Sequence, residues 1–318
     1  MTMPFTRRSL LAAAGAAAVG PAALAQPGKD PPFIFCLNTS TIRDAGGKPR
    51  PMADSIAIAQ QAGYKAIEPW IPEIDEFRKK ESLGDLKKRI DDAGLTVPDA
   101  IGFAEWIVDD ATRRKKGLEQ AKRDMDLVRQ IGGTRLAAPP VGATGGTSPR
   151  DDPKASQTGL DLMAAADRYR ALLELGQTMG VTPIVEIWGF SKNVNRLGQA
   201  VLIATECGKV GGGVLPDVYH LYKGGSDFAG LRLLAANAIG IFHVNDYPAI
   251  DRSRIVDADR VYPGDGTAPL ADILKTLRQT GYRQALSLEL FNRDYWKQDP
   301  ALVARTGLDK LRAIVEKL

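Results

Sequence analysis

The chain has 318 residues, enough for one large α/β barrel or for two smaller domains. Its 44% hydrophobic and 25% charged residues are ordinary proportions for a soluble globular protein. The formal net charge of +4 looks basic, but lysines and arginines are interspersed with acids. The densest basic run, Arg113–Lys116, follows Asp109-Asp110 and enters a helical pattern. It therefore predicts a solvated helix face rather than a nucleic-acid-binding patch.

The first 25 residues have the features of an export signal. A twin-arginine region, Thr6-Arg7-Arg8-Ser9-Leu10-Leu11, precedes an Ala/Gly-rich apolar stretch that ends at Ala23-Leu24-Ala25. This last triplet fits the small-residue cleavage rule, so we expect cleavage after Ala25. We also expect export by the twin-arginine machinery to the periplasm or beyond. The apolar stretch is short and weakly hydrophobic, so a retained membrane anchor is the less favoured alternative.

Strand and helix signals alternate eight times after a proline-rich linker at residues 26–32. We predict strands at Phe33–Asn38, Lys65–Glu68, Leu95–Gly102, Thr134–Ala138, Thr182–Glu186, Gly213–Asp217, Ile239–His243 and Ala285–Glu289. We predict helices near Asp54–Ala62, Leu83–Ala93, Thr112–Ile131, Asp161–Met179, Arg196–Cys207, Asp227–Ala238, Leu270–Thr280 and Ala301–Lys317. Pro69-Trp70-Ile71-Pro72 predicts an irregular loop, and Pro98 is a mild objection to a regular third strand.

Eight such units in this length predict an α/β fold, a single (β/α)₈ barrel over residues 33–318. The strand-like runs are too apolar to be half exposed, and no break in composition suggests a second domain. A doubly wound sheet is the alternative fold. Cys36 and Cys207 lie in apolar surroundings, which favours two buried free thiols over the disulfide that an oxidising compartment would allow.

Four successive strand-like runs end in residues that can bind a metal ion. These residues are Glu186, Asp217, His243 and Glu289, and the chain has only two histidines, His220 and His243. Because the C-terminal ends of barrel strands meet on one face, the four side chains are expected to converge there. Carboxylates with one imidazole suit a hard or borderline divalent ion. The alternative is that the histidines belong to the core and the carboxylates merely end their strands.

With Asp217-x-x-His220 and Arg260-x-x-Pro263-Gly264-x-Gly266, this ordered set resembles the xylose-isomerase-like TIM barrel family. That family includes sugar isomerases and epimerases, inosose dehydratases and endonuclease IV (AP endonuclease family 2). The resemblance covers the whole mature chain. It implies one divalent ion, Mn²⁺ before Mg²⁺, Co²⁺ or Zn²⁺, held by Glu186, Asp217, His243 and Glu289. It also implies that His220 and Arg260 bind substrate oxygens. One departure is that sixteen residues separate His243 from Arg260, a longer gap than in the family's sugar epimerases.

The implied chemistry moves a hydrogen next to a carbonyl group. Such a reaction needs a Lewis acid to polarise the oxygens and a carboxylate to take the proton, and Glu186 and Glu289 are the predicted catalytic pair. Trp188 is a further substrate-binding candidate at the mouth of the barrel, unless the tryptophans only cap its core. Lys223 and Glu68 are also candidates for substrate binding, with salt-bridge partner as the alternative role for each.

The predicted function is a metal-dependent isomerase or epimerase of a sugar or sugar-like polyol. A lyase with the same apparatus is the alternative, because an inosose-type dehydratase or keto-glycoside eliminase begins with the same proton abstraction. A nuclease of the endonuclease IV type is less favoured, since its zinc site needs histidines on early strands that this chain lacks. A non-catalytic sugar-binding barrel with a structural metal is the remaining hypothesis. The oligomeric state is not predicted.

Overall fold

Parallel strands and helices alternate along residues 33–148, 152 and 155–318, which are the residues that the computed structural model describes. The predicted signal peptide and linker lie outside them. The seven regular strands are β1 (Ile34–Asn38), β2 (Ala66–Glu68), β3 (Arg135–Ala138), β4 (Thr182–Glu186), β5 (Gly213–Leu215), β6 (Phe242–Val244) and β7 (Ala285–Leu288). They pair in the orders β2-β1-β7-β6 and β3-β4-β5.

Isolated parallel bridges join these two sheets into a closed barrel. On one side the predicted third strand contributes Thr96 and Ile101, which bridge to Ala66, Trp70 and Ala137. It forms no regular ladder, in keeping with Pro98, which cannot donate a backbone hydrogen bond. On the other side Val214 bridges to Ile239, and Asp217 bridges to His243. The predicted (β/α)₈ fold is confirmed, with its third strand irregular.

The barrel is surrounded by helices that mostly follow the predicted bounds. They are α1 (Met52–Ala62), α2 (Ile71–Phe77), α3 (Leu83–Asp92), α4 (Ala111–Gln130), α5 (Leu162–Met179), α6 (Leu197–Glu206), α7 (Val218–Gly224), α8 (Leu270–Gln279) and α9 (Pro300–Val315). Short 3₁₀ helices cover Thr39–Ile42, Phe228–Leu233, Ala236–Ala238 and Asp257–Asp259.

Two predictions about helices were wrong. The helix expected at Asp227–Ala238 is replaced by two 3₁₀ helices with Leu234 and Ala235 extended between them, because the exposed Leu233 leaves no continuous apolar face for a helix. The segment around Trp70, expected as a loop, enters α2. Pro72 fits the first turn, where no backbone donor is needed, and the Glu73 carboxylate caps the turn by accepting from the Trp70 N–H.

The core has an inner and an outer layer. Small and medium apolar side chains fill the barrel, whereas a larger cluster packs the helices against the outside of the sheet. Cys36 and Cys207 are both buried and free, which confirms the prediction of two unpaired thiols. Within the described residues, no helix is both long and apolar enough to cross a membrane.

Candidate active site

The alternation of side chains along the strands brings polar groups to one end of the barrel. Apolar side chains that face the barrel interior include Cys36, Ala66, Ile184, Leu215, Ile241 and Ala285. Two positions further along the same runs stand Asn38, Glu68, Glu186, Asp217, His243 and Ser287. Because residues i and i+2 of a strand share a face, this second set also faces inward. It lies at the C-terminal ends of the strands, where barrel enzymes carry their active sites.

Asp217, His243 and Glu289 form a group whose donor atoms lie within 4.8 Å of one another. The Nδ1 atom of His243 is 3.2 Å from Glu289 Oε2 and 3.7 Å from Asp217 Oδ2. All three residues are buried. Three of the four predicted ligands are thus in place around one point, whereas Glu186 stands outside this tight group.

Glu68 fixes the orientation of the His243 ring. Its Oε1 atom lies 2.9 Å from His243 Nε2, and its Oε2 atom accepts from Asn38 Nδ2 at 2.7 Å and Ser287 Oγ at 2.6 Å. With the Nε2 proton directed at Glu68, Nδ1 faces the carboxylates of Asp217 and Glu289, where a bound ion would take the place of its proton. A carboxylate behind a histidine is the usual support of a metal ligand. The residues present therefore fit a divalent ion.

Charge in this cluster is strongly perturbed. Burial disfavours the imidazolium of His243, but Glu68 and Glu289 outweigh burial and raise its pKa well above the ordinary value. Burial likewise opposes the charge of Glu289, yet His243 and Arg260 lower its pKa to about 2. For Asp217, burial dominates and raises the pKa, although Arg260 opposes it. The cluster is a concentration of charge held away from water, as is typical of functional sites.

Glu186 lies at the wall of the cavity above this cluster. Its Oε1 atom accepts from the indole Nε1 of Trp188 at 2.9 Å, whereas Oε2 is buried without a hydrogen-bond partner in the described chain. Burial, and after it the charge of Glu289, raises the pKa of Glu186 to about 8. The pKa values of the two predicted catalytic carboxyls are thus shifted in opposite directions, upward for Glu186 and downward for Glu289. Such a difference is typical of sites in which one carboxyl acts as an acid and the other as a base.

Arg260 is a buried guanidinium at the centre of the site. Its Nη1 donates to Asp217 Oδ2 at 3.0 Å and to Glu289 Oε2 at 2.8 Å, and its Nη2 donates to Asp257 at 2.7 Å. The long segment after His243 does not displace it, because Asp246 accepts from the backbone N–H groups of Gly264 and Gly266 and holds that segment against the barrel.

The side chains of His220 and Arg260 place two hydrogen-bond donors next to each other. The backbone N–H of Gly189 donates to His220 Nδ1 at 3.1 Å, which places the ring proton on Nε2. That Nε2 lies 3.1 Å from Arg260 Nη2. Burial, followed by repulsion from Arg260, lowers the pKa of His220 well below its usual value, so the ring is neutral. An oxygen atom bound between the two groups would accept a hydrogen bond from both.

A cavity of about 350 Å³ opens above these residues. Its lining residues include Glu186, Trp188, His220, Arg260 and Glu289, together with Arg43, Trp70, Phe103, Phe190, Asp257, Phe291, Arg293 and Trp296. Five of the predicted site residues therefore meet at one cavity.

Four of the predicted site residues are not among those that line the cavity: Asp217, His243, Glu68 and Lys223. Asp217 and His243 adjoin Glu289, which does line it. Glu68 is enclosed behind His243, where its oxygens are used by His243, Asn38 and Ser287. The ammonium of Lys223 donates to the backbone carbonyls of Ser253 and Ile255 and so secures the long segment after β6. Neither position suits direct contact with a substrate.

Sequence reasoning missed two asparagines and an aspartate. Asn38 donates to Glu68 and, at 3.3 Å, to Glu289, and Asn245 donates to Asp217 Oδ2 at 2.9 Å. Asn38 closes a predicted strand, so the same strand-end signal could have identified it. Asp99 lies on the irregular third strand, where no such pattern exists. Burial and the neighbouring charge of Glu68 raise the pKa of Asp99 well above its usual value.

The fold and this set of residues define a barrel of a known class. The family model of the xylose isomerase-like TIM barrel matches residues 56–314. The chain therefore belongs to that family, as the motifs had indicated.

Isomerases and dehydratases are among the proteins that the chain is similar to. Inosose isomerase of Bacillus velezensis is 24% identical over 291 residues, which cover 89% of this chain and 97% of that protein. The 3-dehydroshikimate dehydratase of Pseudomonas aeruginosa is 26% identical over 272 residues, covering 84% of this chain and 40% of the dehydratase. A solved structure of the IolI protein with a bound zinc atom has a TM-score of 0.78, at 21% identity, and covers 90% of this chain and 99% of that one.

Proposed function

We propose that the protein is a divalent-metal-dependent isomerase or epimerase of a sugar or sugar-like polyol. The observation that carries the proposal is a cavity lined by both Glu186, whose buried Oε2 atom has no partner among the described residues, and Glu289, which belongs to the donor cluster with Asp217 and His243. Proton transfer next to a carbonyl needs a positioned carboxylate and a means of stabilising the enediolate oxygens. The family relationship and the isomerase relatives support the same assignment.

Asp217, His243 and Glu289 would hold the ion, with Glu186 as the fourth ligand. Mn²⁺ is the metal we expect first, with Mg²⁺, Co²⁺ and Zn²⁺ as alternatives, and zinc is the ion bound in the similar IolI structure. When bound, such an ion polarises a carbonyl or hydroxyl oxygen as a Lewis acid. Glu68 keeps the His243 ring in the orientation that leaves Nδ1 for the ion.

The protein's own groups would divide the remaining tasks. One of the two carboxylates, Glu186 or Glu289, removes a proton from the carbon beside the carbonyl, and the other returns a proton at the other face. His220 Nε2 and Arg260 Nη2 bind a substrate oxygen between them. Trp188 holds the Glu186 carboxylate in position and forms part of the cavity wall. Aromatic rings around the cavity exclude water and suit the C–H faces of a sugar.

Deuterium exchange tests this assignment. The metal-loaded protein is incubated in D₂O with a panel of keto sugars, keto-polyols and keto-glycosides, and incorporation at carbon is followed by NMR or mass spectrometry. Glu186→Gln and Glu289→Gln should lower turnover by roughly 10²–10⁴, the usual contribution of general acid–base catalysis, while metal is retained at least in part. Glu119→Gln, at an exposed position outside the cavity, is the matched control. Near-normal turnover in both cavity variants, with metal bound, would remove both glutamates as the base.

A lyase is the second candidate. The similarity to 3-dehydroshikimate dehydratase is the observation that favours it. After the same proton abstraction, expulsion of a β-oxygen group would give an unsaturated ketone in place of an isomer. The exchange experiment separates the two, because an isomerase returns deuterium to carbon in a saturated product, whereas a lyase yields an ultraviolet-absorbing enone.

We also propose that the protein acts outside the cytoplasm. The support is the twin-arginine region around Arg7 and Arg8 and the small-residue triplet ending at Ala25. Proteins with this type of signal cross the membrane folded, which would allow a metal to be loaded before export.

A further inference from the structure

Arg43 lies at the cavity in a box of aromatic rings. Its guanidinium carbon is 4.4 Å from the ring centre of Trp70, 5.6 Å from that of Phe291 and 5.8 Å from that of Trp296. The residue follows the 3₁₀ turn Thr39–Ile42, which leads directly from the end of β1. Arginine commonly stacks on aromatic faces in this way, leaving its N–H groups to bind acceptors in the plane of the guanidinium.

Hydrogen bonds within the protein hold two of these aromatic rings in place without a ligand. The Trp70 indole donates to Asn38 Oδ1 at 3.0 Å, and the Trp296 indole donates to the backbone carbonyl of Ser40 at 2.9 Å. Both acceptors belong to the end of β1 or to the turn that carries Arg43. The guanidinium and two of its three rings are therefore held by the same short segment of backbone, as expected for a binding site formed in advance.

Arg43 has no acidic partner in the part of the chain that the structure describes. Among the described residues, no carboxylate forms an ion pair with it, and its Nε atom is buried without a hydrogen-bond acceptor. Burial lowers the pKa of Arg43, and Glu73 and Glu289 oppose this only by attraction from further away. A cation that is partly removed from water normally has a hydrogen-bonded counter-charge, and none is present for half-buried Arg43 among the described residues.

Arg260, in the same cavity, provides the contrast. It also lies against aromatic rings, at 4.4 Å from Tyr219 and 4.9 Å from Phe291, but its Nη1 and Nη2 atoms form ion pairs with Asp217, Glu289 and Asp257, and only its Nε atom lacks an acceptor among the described residues. Arg293 lines the cavity too; it is exposed and has no ion pair with any described residue. The cavity carboxylates that pair with an arginine thus pair with Arg260, and Arg43 and Arg293 form no ion pair with any described residue.

We infer that the cavity takes a substrate carrying an oxyanion, a carboxylate or a phosphate ester, that binds to Arg43 while its carbonyl end lies at the donor cluster. The inference rests on the proposed function for the carbonyl end and adds the chemical class of the substrate. The planar guanidinium matches a two-oxygen acceptor, and Arg293 adds a second positive charge. A neutral polyol that filled the cavity would cover the half-buried Arg43 charge without compensating it, so it should bind more weakly.

Binding measurements on matched ligands test the inference independently of turnover. Fluorescence of the protein is titrated with two sets of compounds: fructose, fructuronate and fructose 6-phosphate, and glucose, glucuronate and glucose 6-phosphate. We expect a charged member to bind about 10- to 100-fold more tightly than its neutral counterpart, the factor associated with a hydrogen bond between charged groups. The stronger of the two charged members identifies the oxyanion as carboxylate or phosphate.

Three variants assign this preference to Arg43. Arg43→Gln should reduce the preference to within about threefold, whereas Arg43→Lys, which keeps the charge without the planar fork, should retain part of it. Arg232→Gln, an exposed arginine outside the cavity, should behave as the wild type. Melting temperatures are measured in parallel, because an arginine with only a structural role would change stability without changing the preference.

The inference is overturned if no charged member binds better than its neutral counterpart, or if Arg43→Gln keeps the full preference. Deuterium exchange on the same compounds keeps this result separate from the proposed function. Exchange of neutral and charged compounds at equal rates in the wild type and in Arg43→Gln would retain the function and reject the oxyanion site. An Arg43-dependent preference without any exchange would retain the site and reject the function.

Discussion

Replacing Glu68 by Gln is expected to weaken metal binding although Glu68 does not reach the cavity. Three donors converge on its carboxylate: His243 Nε2, Asn38 Nδ2 and Ser287 Oγ. An amide offers one acceptor oxygen and two donor hydrogens, so it cannot serve all three. The Asn38 amide cannot turn to compensate, because its Oδ1 already accepts from Trp70 and from the Ser40 backbone.

The magnitude follows from these contacts. Loss of the group that orients a histidine ligand typically costs 10- to 100-fold in metal affinity. Each buried donor left without an acceptor costs about 1–3 kcal/mol of stability. Glu68→Gln should therefore bind Mn²⁺ or Zn²⁺ about 10- to 100-fold more weakly and unfold with a free energy lower by about 2 kcal/mol or more.

Isothermal titration with metal and chemical denaturation measure these two quantities. Ser287→Ala is the matched control, since it removes one donor but leaves the carboxylate and its contact with His243 intact. That variant should keep metal affinity within a fewfold of the wild type. Wild-type metal affinity in Glu68→Gln, with the fold intact, would refute the role assigned to Glu68.

Two further predictions concern stability and export. Burial raises the pKa of Glu73 to about 7 from an ordinary 4.5, so the folded state favours the protonated form. The stability of the wild type relative to Glu73→Gln, measured by denaturation, should be greatest below pH 4.5 and fall by about 3 kcal/mol as the pH rises to 7. The stability of the wild type relative to Glu76→Gln, the control pair, should show no such fall. Replacing Arg7 and Arg8 by Lys should leave precursor in the cytoplasm on cell fractionation, and normal export of that variant would contradict the twin-arginine route.

Much of the barrel follows from local sequence signals. Helices such as α5 and α8 begin and end within a residue or so of the predicted bounds, because apolar residues at helical spacing and terminal glycines determine both. The segment Asp227–Ala238 shows the limit of such signals. Its apolar residues have a helical spacing, but Leu233 is 89% exposed, so no continuous face is available to stabilise a helix.

The site was predictable where it depends on strand ends and not where it depends on packing. Residues two positions beyond an inward-facing apolar residue also face inward, and this rule alone brings Asp217 and His243 together. No such rule says that Glu68 turns toward His243 rather than toward the cavity, or that the Lys223 ammonium is used by backbone carbonyls. The unpaired state of Arg43 likewise arises from the tertiary arrangement of Trp70, Phe291 and Trp296 around it.

Metal content tests the proposed metal site most directly. The purified mature protein, after loading with Mn²⁺ and removal of excess, is analysed by inductively coupled plasma mass spectrometry beside His243→Ala and Asp217→Ala. One donor cluster within the described residues predicts close to one ion per chain in the wild type and none in either variant. No retained metal in the wild type, equal binding in the His243→Ala variant, or three tightly bound zinc ions per chain would contradict the proposed mononuclear site.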